Sequence, residues 1–396
     1  MNKKYLVFHL SMIFFLVVSS TDIYISSLPL ITRDFGVSPN ISSLTLNGFA
    51  FGLAIFSLFA GILSERFGSR NIILAGMTIY IFSCIMIFTS ISIWEFIFFR
   101  IVQSLGAALI VIVSRLIIKD SMNVQDQISA NGVILLGLTV SPAISPIIGS
   151  LLAHYFGWRA CFLTSAILGL IMIVDSIRFL KDVKPHGIKH LPGPITYFKS
   201  YFSLFHSSIL TPTLITQAAA YASYFSFIGI SSFIYINELG MTPIAYSWIF
   251  ITIAAAFFAG NSYMRILNKK GKSITEIVYT GVLCSIIGAV ILFLSYLSTS
   301  LFYIGTILTL GVLFMRAGIA LINPPIQVMI LNHYGKKGGQ ALGLSTFAQF
   351  LGGGIGIAIV TLFHQSPILG LQITSIGFAT ICLIAFFKFK KCINKI

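Results

Sequence analysis

Three ionisable residues stand inside long apolar runs. Asp22 falls in STDIYISSLP (20–29), Arg100 in FFRIVQSLGAA (98–108) and Arg316 in LFMRAGIALINPP (313–325). A charge in hydrocarbon costs about 2.5–3.5 kcal/mol even on mild insertion scales, so such residues are candidates for proton, ion or ligand chemistry. If the first run ends as a helix near Pro29, Asp22 lies about 10 Å below that surface at 1.5 Å per residue, and an opposed helix entering at Trp94 carries Arg100 to about 9 Å. The matched depths suggest a proton-responsive pair. Ionised Asp22 would be held by Arg100, and protonated Asp22 would release it. A permanent ion pair joining two helices is the alternative.

Ser19, Asp22, Ser26 and Pro29 recur at spacings of three and four, one stripe of a continuous helix, expected to face a polar interior and not lipid. Asn47, Gln103, Gln217, Tyr221, Tyr224 and Gln349 are further cavity candidates, each also explicable by interhelical bonding. Arg316 either snorkels to the nearer surface or contacts an anion. One acid (Asp22) against two arginines inside the runs would favour an anionic ligand.

These residues need apolar helices to hold them. Of 396 residues, 57% are hydrophobic and only 9% charged, whereas a soluble domain has about 25% charged. The chain reads as an integral membrane protein, all-α, with twelve segments of spanning length near 5–28, 44–64, 71–90, 94–115, 130–153, 158–180, 207–235, 243–266, 275–296, 300–323, 339–362 and 367–388. The N-terminal run resembles a secretory signal but, with eleven more runs following, is expected to stay as the first span. Placing both termini in the cytoplasm puts 21 of the 25 lysines and arginines on the inner side, as the positive-inside rule requires. The net charge of +15 therefore encodes topology and not nucleic-acid binding.

The polar stretch KDVKPHGIKHLPGPITYFK divides the chain into an N-terminal half (1–180), a basic cytoplasmic linker (181–206) and a C-terminal half (207–396). Two pseudo-symmetric six-helix halves match secondary transporters, whose ligand sites lie near the midplane. Prolines 185, 192 and 194 argue against one continuous linker helix. The five cysteines lack paired or metal-type spacing. The absence of G-x-S-x-G, H-E-x-x-H and C-x-x-C patterns argues against an enzyme. His186 and His190 are the one close histidine pair, in the linker.

GILSERFGSR (61–70) resembles the loop signature of the major facilitator superfamily, with Gly61, Glu65, Arg66, Gly68 and Arg70 at its positions and Glu65 replacing the usual aspartate. Gly68 would supply a tight turn, and the two arginines would pair with acids. Arg100 and Gln103 resemble the superfamily's R-x-x-Q-G motif. GLTVSPAISPIIGS, with Gly137, Pro142, Pro146 and Gly149, resembles its antiporter-helix signature. STDIYISSLP, YFSFIGISSFIYINELGMTP (224–243), GGQALGLSTFAQFLGG (338–353) and Trp158–Arg159 resemble the bicyclomycin-resistance (Bcr/CflA) branch of drug:proton antiporters. Two positions depart from that branch: its prolines in spans 1 and 7 are Ser26 and Ser232 here. A serine keeps the backbone donor and can bond back to a carbonyl, so both helices should be stiffer.

The resemblance implies the major facilitator fold and an inner-membrane transporter, not an enzyme. It would export a small organic molecule or drug in exchange for protons by alternating access. Asp22 and Arg100 would couple the proton, and the 61–70 loop would gate the conformational change. No cofactor is implied beyond the proton gradient, and the expected partners are substrate, protons and the lipid bilayer around a monomer. A carrier of an anionic metabolite, such as a polycarboxylate siderophore, is the alternative.

Overall fold

The computed structural model describes residues 3–121, 124–180, 194–297, 299–334 and 337–393; side chains at 3, 65, 119–120, 124–139, 194–198 and 200 are outside the description. Of the expected linker, 181–193 lies outside the described residues, as does the side chain of Glu65.

In hydrocarbon every backbone group must be satisfied within its own segment, so apolar runs of this length become helices. Fourteen are described: α1 Lys3–Asp22, α2 Leu28–Asp34, α3 Pro39–Phe67, α4 Ser69–Phe88, α5 Ile93–Ser121, α6 Val124–Phe156, α7 Arg159–Phe179, α8 Pro194–Phe205, α9 Leu210–Ser232, α10 Pro243–Lys269, α11 Ile274–Phe293, α12 Leu301–Tyr334, α13 Gly338–Thr361 and α14 Pro367–Ile393. Among the described residues, 11 helical stretches are long and apolar enough to cross a membrane, and Val140–Phe156 of α6 adds a shorter apolar one. α8 occupies the described part of the expected linker.

Two boundaries differ from the sequence reading. The first span is not one helix to Leu28: α1 ends at Asp22, a single tight turn covers Ile25–Ser27, and α2 restarts with Pro29 in its first turn. The tenth does not stop before Pro324 and Pro325, since α12 runs on through both to Tyr334. Membrane helices tolerate such prolines because neighbouring groups satisfy the freed carbonyls.

The chain forms two compact units, Met1–Leu191 and Pro192–Ile396. Within the first, α1 packs on α6, α3 and α4 both pack on α5, and α4 packs on α7; within the second, α9 packs on α13, α10 and α11 on α12, and α11 on α14. Each unit thus repeats one set of neighbours. Small residues set the closest approaches. A side chain begun on Gly106 would lie 2.5 Å from the Gly76 carbonyl oxygen, and one on Gly288 would lie 2.4 Å from that of Gly311. The corresponding α4–α5 and α11–α12 crossings are therefore backbone-to-backbone contacts, as small-residue helix interfaces in membranes are.

The repeat extends to broken helices. α1 breaks after Asp22, and α9 ends at Ser232 and passes into a wider turn over Phe233–Glu238, in which Leu239 N–H bonds to the Ile234 carbonyl, five residues back. Both breaks fall beside the serines that stand where relatives carry proline. The expected back-bonding does not occur: the Ser26 and Ser232 hydroxyls are buried and take no partner among the described residues. A tight turn in one unit and a widened turn in the other interrupt the helices without a proline.

Candidate functional site

The site in the first unit is built on the broken end of α1. The last carbonyls of a helix lack helical partners and carry its negative pole. Arg100, on α5 and 0% exposed, answers this end. Its Nη1 donates to the Ser20 carbonyl (3.2 Å) and to Gln103 Oε1 (2.5 Å), Nη2 reaches Thr21 Oγ1 (3.4 Å), and Nε donates to the Thr45 carbonyl on α3 (3.2 Å). The guanidinium lies 4.9 Å from the Tyr24 ring centroid and 4.2 Å from that of Phe49. Gln103 passes the network to Cys84 Sγ on α4 (2.9 Å). Tyr24 OH bonds Thr45 Oγ1 (3.1 Å), and Tyr80 OH donates to the Leu16 carbonyl (3.2 Å). A planar fork with several donors suits this junction of three helices.

Asp22 is the last residue of α1, directly after the two residues that Arg100 binds. Its carboxylate accepts a 2.8 Å hydrogen bond from Ser141 Oγ on α6, and Ser141 lies 3.3 Å from Ser145 Oγ. Pro142 and Pro146 are inside α6, so the proline-bearing helix and the acid are joined. Gly149, two turns along, receives the Ile23 carbonyl. Gly137 lies on α6 where side chains are not described. The continuous stripe expected of Ser19, Asp22, Ser26 and Pro29 is absent because the helix stops between its members. Ser19 bonds back to the Leu16 carbonyl (2.8 Å). Asn47, buried on α3, leaves both ends of its amide without a partner among the described residues.

In the 61–70 loop, α3 and α4 are separated by Gly68 alone, whose φ of 85° lies in the region that glycine adopts without strain. Gly61 lies on α3. The acidic partners expected for the arginines do not occur among the described residues. Arg66 is exposed over the Phe67 ring, and Arg70 Nη2 reaches the Ile177 carbonyl near the end of α7 (3.4 Å). That carbonyl lies in the last turn of α7, where carbonyls commonly lack a helical donor and accept from side chains.

The second unit gathers a different set. Gln217 Nε2 donates to Asn323 Oδ1 (3.2 Å), Ser345 Oγ donates to Gln217 Oε1 (2.7 Å), and Gln349 Nε2 donates to Ser345 Oγ (3.1 Å). This chain of neutral groups links α9, α12 and α13. Tyr221 stacks on Phe225 with centroids 5.7 Å apart. Arg316 does not snorkel: it is 9% exposed, with its guanidinium 4.6 Å from the Tyr224 centroid and 4.4 Å from that of Phe257.

One charged cluster escaped the sequence reading. His9, 2% exposed, faces Asp175 Oδ2 through Nδ1 (2.6 Å) and Ser176 Oγ through Nε2 (2.8 Å). Tyr5 OH also donates to Asp175 Oδ2 (2.7 Å). The cluster ties α1 to α7, and no spacing in the sequence joins residues so far apart.

The fold and these sites define a multi-pass membrane transporter and not an enzyme. Residues 10–357 match the Major Facilitator Superfamily, and the chain belongs to that superfamily. It is similar to multidrug resistance protein D of Escherichia coli (strain K12), at 25% identity over 274 residues, covering 69% of this chain and 67% of that protein. A bicyclomycin resistance protein homolog of Haemophilus influenzae is 26% identical over 254 residues, 63% of each chain, in agreement with the branch the motifs resemble. The chloramphenicol resistance protein CraA of Acinetobacter baumannii is 25% identical over 302 residues, 73% of this chain and 72% of that protein. In fold, the chain matches a bacterial homolog of the human lysosomal transporter Spinster with a TM-score of 0.77 at 14% identity, covering 100% of this chain and 97% of that one. It matches a D-xylose–proton symporter with a TM-score of 0.75 at 14% identity, covering 98% of both chains.

Proposed function

We propose that the protein is a proton-coupled antiporter of the bacterial inner membrane, with both termini in the cytoplasm, that exports a small organic molecule by alternating access. The observation that carries this reading is the Asp22–Ser141 bond, which places an intramembrane acid at a helix break and ties it to the proline-bearing helix α6. A carboxylate accepts a charge-assisted bond roughly twice as strong as a neutral one. Protonating Asp22 weakens its hold on Ser141 and frees α6 relative to α1; deprotonation restores it. Arg100 acts as a positioning residue. By holding the Ser20 carbonyl and Thr21 it keeps the break in place, so that the change at Asp22 reaches α6.

The resistance functions in the names of the relatives support export of drug-like molecules, and Asn47 offers an unspent amide to such a ligand. Within the second unit, the Asn323–Gln217–Ser345–Gln349 chain and Tyr221 are its own polar and aromatic candidates for ligand contact. The 61–70 loop, held by Arg70 against the end of α7, is the conformational latch.

The test is flux in proteoliposomes. With chloramphenicol as the probe, acid-inside liposomes are expected to accumulate it. Asp22→Asn is expected to abolish the accumulation while leaving gradient-independent exchange. Undiminished gradient-driven accumulation in that variant would refute the coupling role of Asp22.

A further inference from the structure

Arg100 and Arg316 occupy corresponding helices of the two units, α5 and α12, and their surroundings differ in one decisive way. Arg100 spends its donors on Ser20, Thr45, Gln103 and Thr21. Arg316 is nearly as buried, yet its Nε is sealed from solvent with no acceptor among the described residues. Its neighbours are the rings of Tyr224 and Phe257. Stacking engages the face of a guanidinium and leaves its in-plane N–H groups available.

Among the described residues, no carboxylate of the second unit is ion-paired with Arg316. The residues from 192 onward contain two acidic side chains, Glu238 and Glu276. Glu276 caps the start of α11, bonded to Ser273 and to Lys272 Nζ (2.8 Å). Glu238 ends the wide turn after α9. A sealed donor left without an acceptor is costly, and the Nε of Arg316 is such a donor among the described residues. It persists most readily where a ligand supplies the missing partner.

We infer that Arg316 is the recognition group for an anionic substrate, and that the group it takes is a carboxylate on an aromatic or otherwise flat apolar body. The planar fork matches a carboxylate in two parallel bonds, which favours it over a compact monatomic anion. The flat body follows from what surrounds the arginine. Tyr224 and Phe257 flank it, Phe225 meets Tyr224 edge-on, and Tyr221, a turn earlier on α9, stacks on Phe225. About 10 Å further along the same helices, seven residues at 1.5 Å each, lies the Gln217–Asn323–Ser345–Gln349 chain. It supplies neutral polar contacts to the far end of such a molecule. This narrows the substrate of the transport reading above and rests on it for its biological sense, but it is tested without any gradient.

The probes are 2-naphthoate, its neutral isostere 2-naphthamide and the cationic 2-naphthylmethylammonium, one ring system in three charge states. Binding to the purified full-length chain is measured by equilibrium dialysis at constant ionic strength. The wild type is expected to prefer 2-naphthoate to 2-naphthamide by about tenfold or more, the worth of one good charge-assisted contact. Arg316→Gln is expected to bring the ratio close to one, with folding checked by its melting curve. Arg316→Lys, which keeps the charge but not the fork, is expected to fall between. A wild-type ratio near one, a preference for the ammonium, or no carboxylate binding overturns the inference whatever the variants do. An unchanged ratio in Arg316→Gln overturns it as well. Failure of proton-driven flux with the carboxylate preference intact would count against the antiport reading alone.

Discussion

The carbonyl of Ile23 lies where a side chain on Gly149 would begin: a Cβ built there would stand 1.5 Å from the oxygen and 2.5 Å from the carbonyl carbon. Two backbones meet at this point, the first peptide beyond the end of α1 and the second half of α6. Neither can swing aside as a flexible side chain would. The same relation recurs in the second unit, where a Cβ on Gly356 would lie 2.2 Å from the Ala222 carbonyl oxygen. Backbone-to-backbone contact between the paired helices is therefore common to both units, but in the second it falls within α9, ten residues before that helix ends at Ser232, and only in the first does it meet the break beside an acid.

Gly149→Ala is accordingly expected to destabilise the protein by about 3 kcal/mol, the upper end of ordinary overpacking, because relief requires moving backbone. Gly377→Ala, at a position with nothing within 4 Å of the added methyl, serves as the control and should melt with the wild type or slightly above it, alanine being the better helix former. Thermal unfolding of the two variants in the same detergent decides the matter.

Arg100→Lys should fail in a different way. A lysine keeps the charge but cannot donate at once to the Ser20 and Thr45 carbonyls, which face the guanidinium from α1 and α3. Leaving one buried acceptor unmet costs about 1–3 kcal/mol. The expected result is a lowered melting temperature together with weakened proton coupling. Arg100→Ala should be worse, since Gln103 and both carbonyls then lose their donor.

Much of this was legible in the sequence, and the remainder was hidden for identifiable reasons. Hydrophobic run length foretold the helices because backbone satisfaction in lipid leaves little choice. The i, i+3 spacing of Arg100 and Gln103 marked a pair that does bond, at 2.5 Å. Gly68 announced its turn. The break after Asp22 was not visible, because serines in place of prolines argued for continuity; what interrupts the helix is tertiary, the Arg100 donors and the space opened by Gly149. Ser141, the partner of Asp22, carried a signal in standing next to Pro142 within the antiporter-like motif, but many serines line these helices. Asp175 stands near the end of α7 and His9 near the start of α1, with no motif joining them. Their meeting depends on which helices are neighbours, which one sequence does not state.

That meeting yields a prediction of its own. His9 has both ring nitrogens engaged, one by Asp175 and one by Ser176. Ser176 Oγ is also 2.8 Å from the Met172 carbonyl oxygen, to which it donates. Replacing His9 by leucine strips Asp175 of one of its two donors and seats an apolar group among buried polar ones. A loss of about 1–3 kcal/mol is expected, read as a drop in melting temperature. His9→Gln, able to donate to one neighbour but not both, should recover part of it; equal losses in the two variants would reduce the cluster to simple space filling.

Ser141→Ala separates the coupling role proposed for Asp22 from its role in holding the fold. The hydroxyl donates to the carboxylate at 2.8 Å and lies 3.3 Å from Ser145 Oγ, and alanine is a good helix former that leaves no large void. Stability should fall by no more than the one bond to the carboxylate is worth, about 1.4 kcal/mol. The carboxylate, however, loses a donor that favours its charged form over its neutral form, so the energy difference transmitted to α6 shrinks. If that bond contributes about 1.4 kcal/mol, gradient-driven accumulation should fall roughly tenfold. Gradient-independent exchange and probe binding should stay near wild type. Accumulation equal to the wild type in a well-folded Ser141→Ala protein would mean that the proton signal leaves Asp22 by another route.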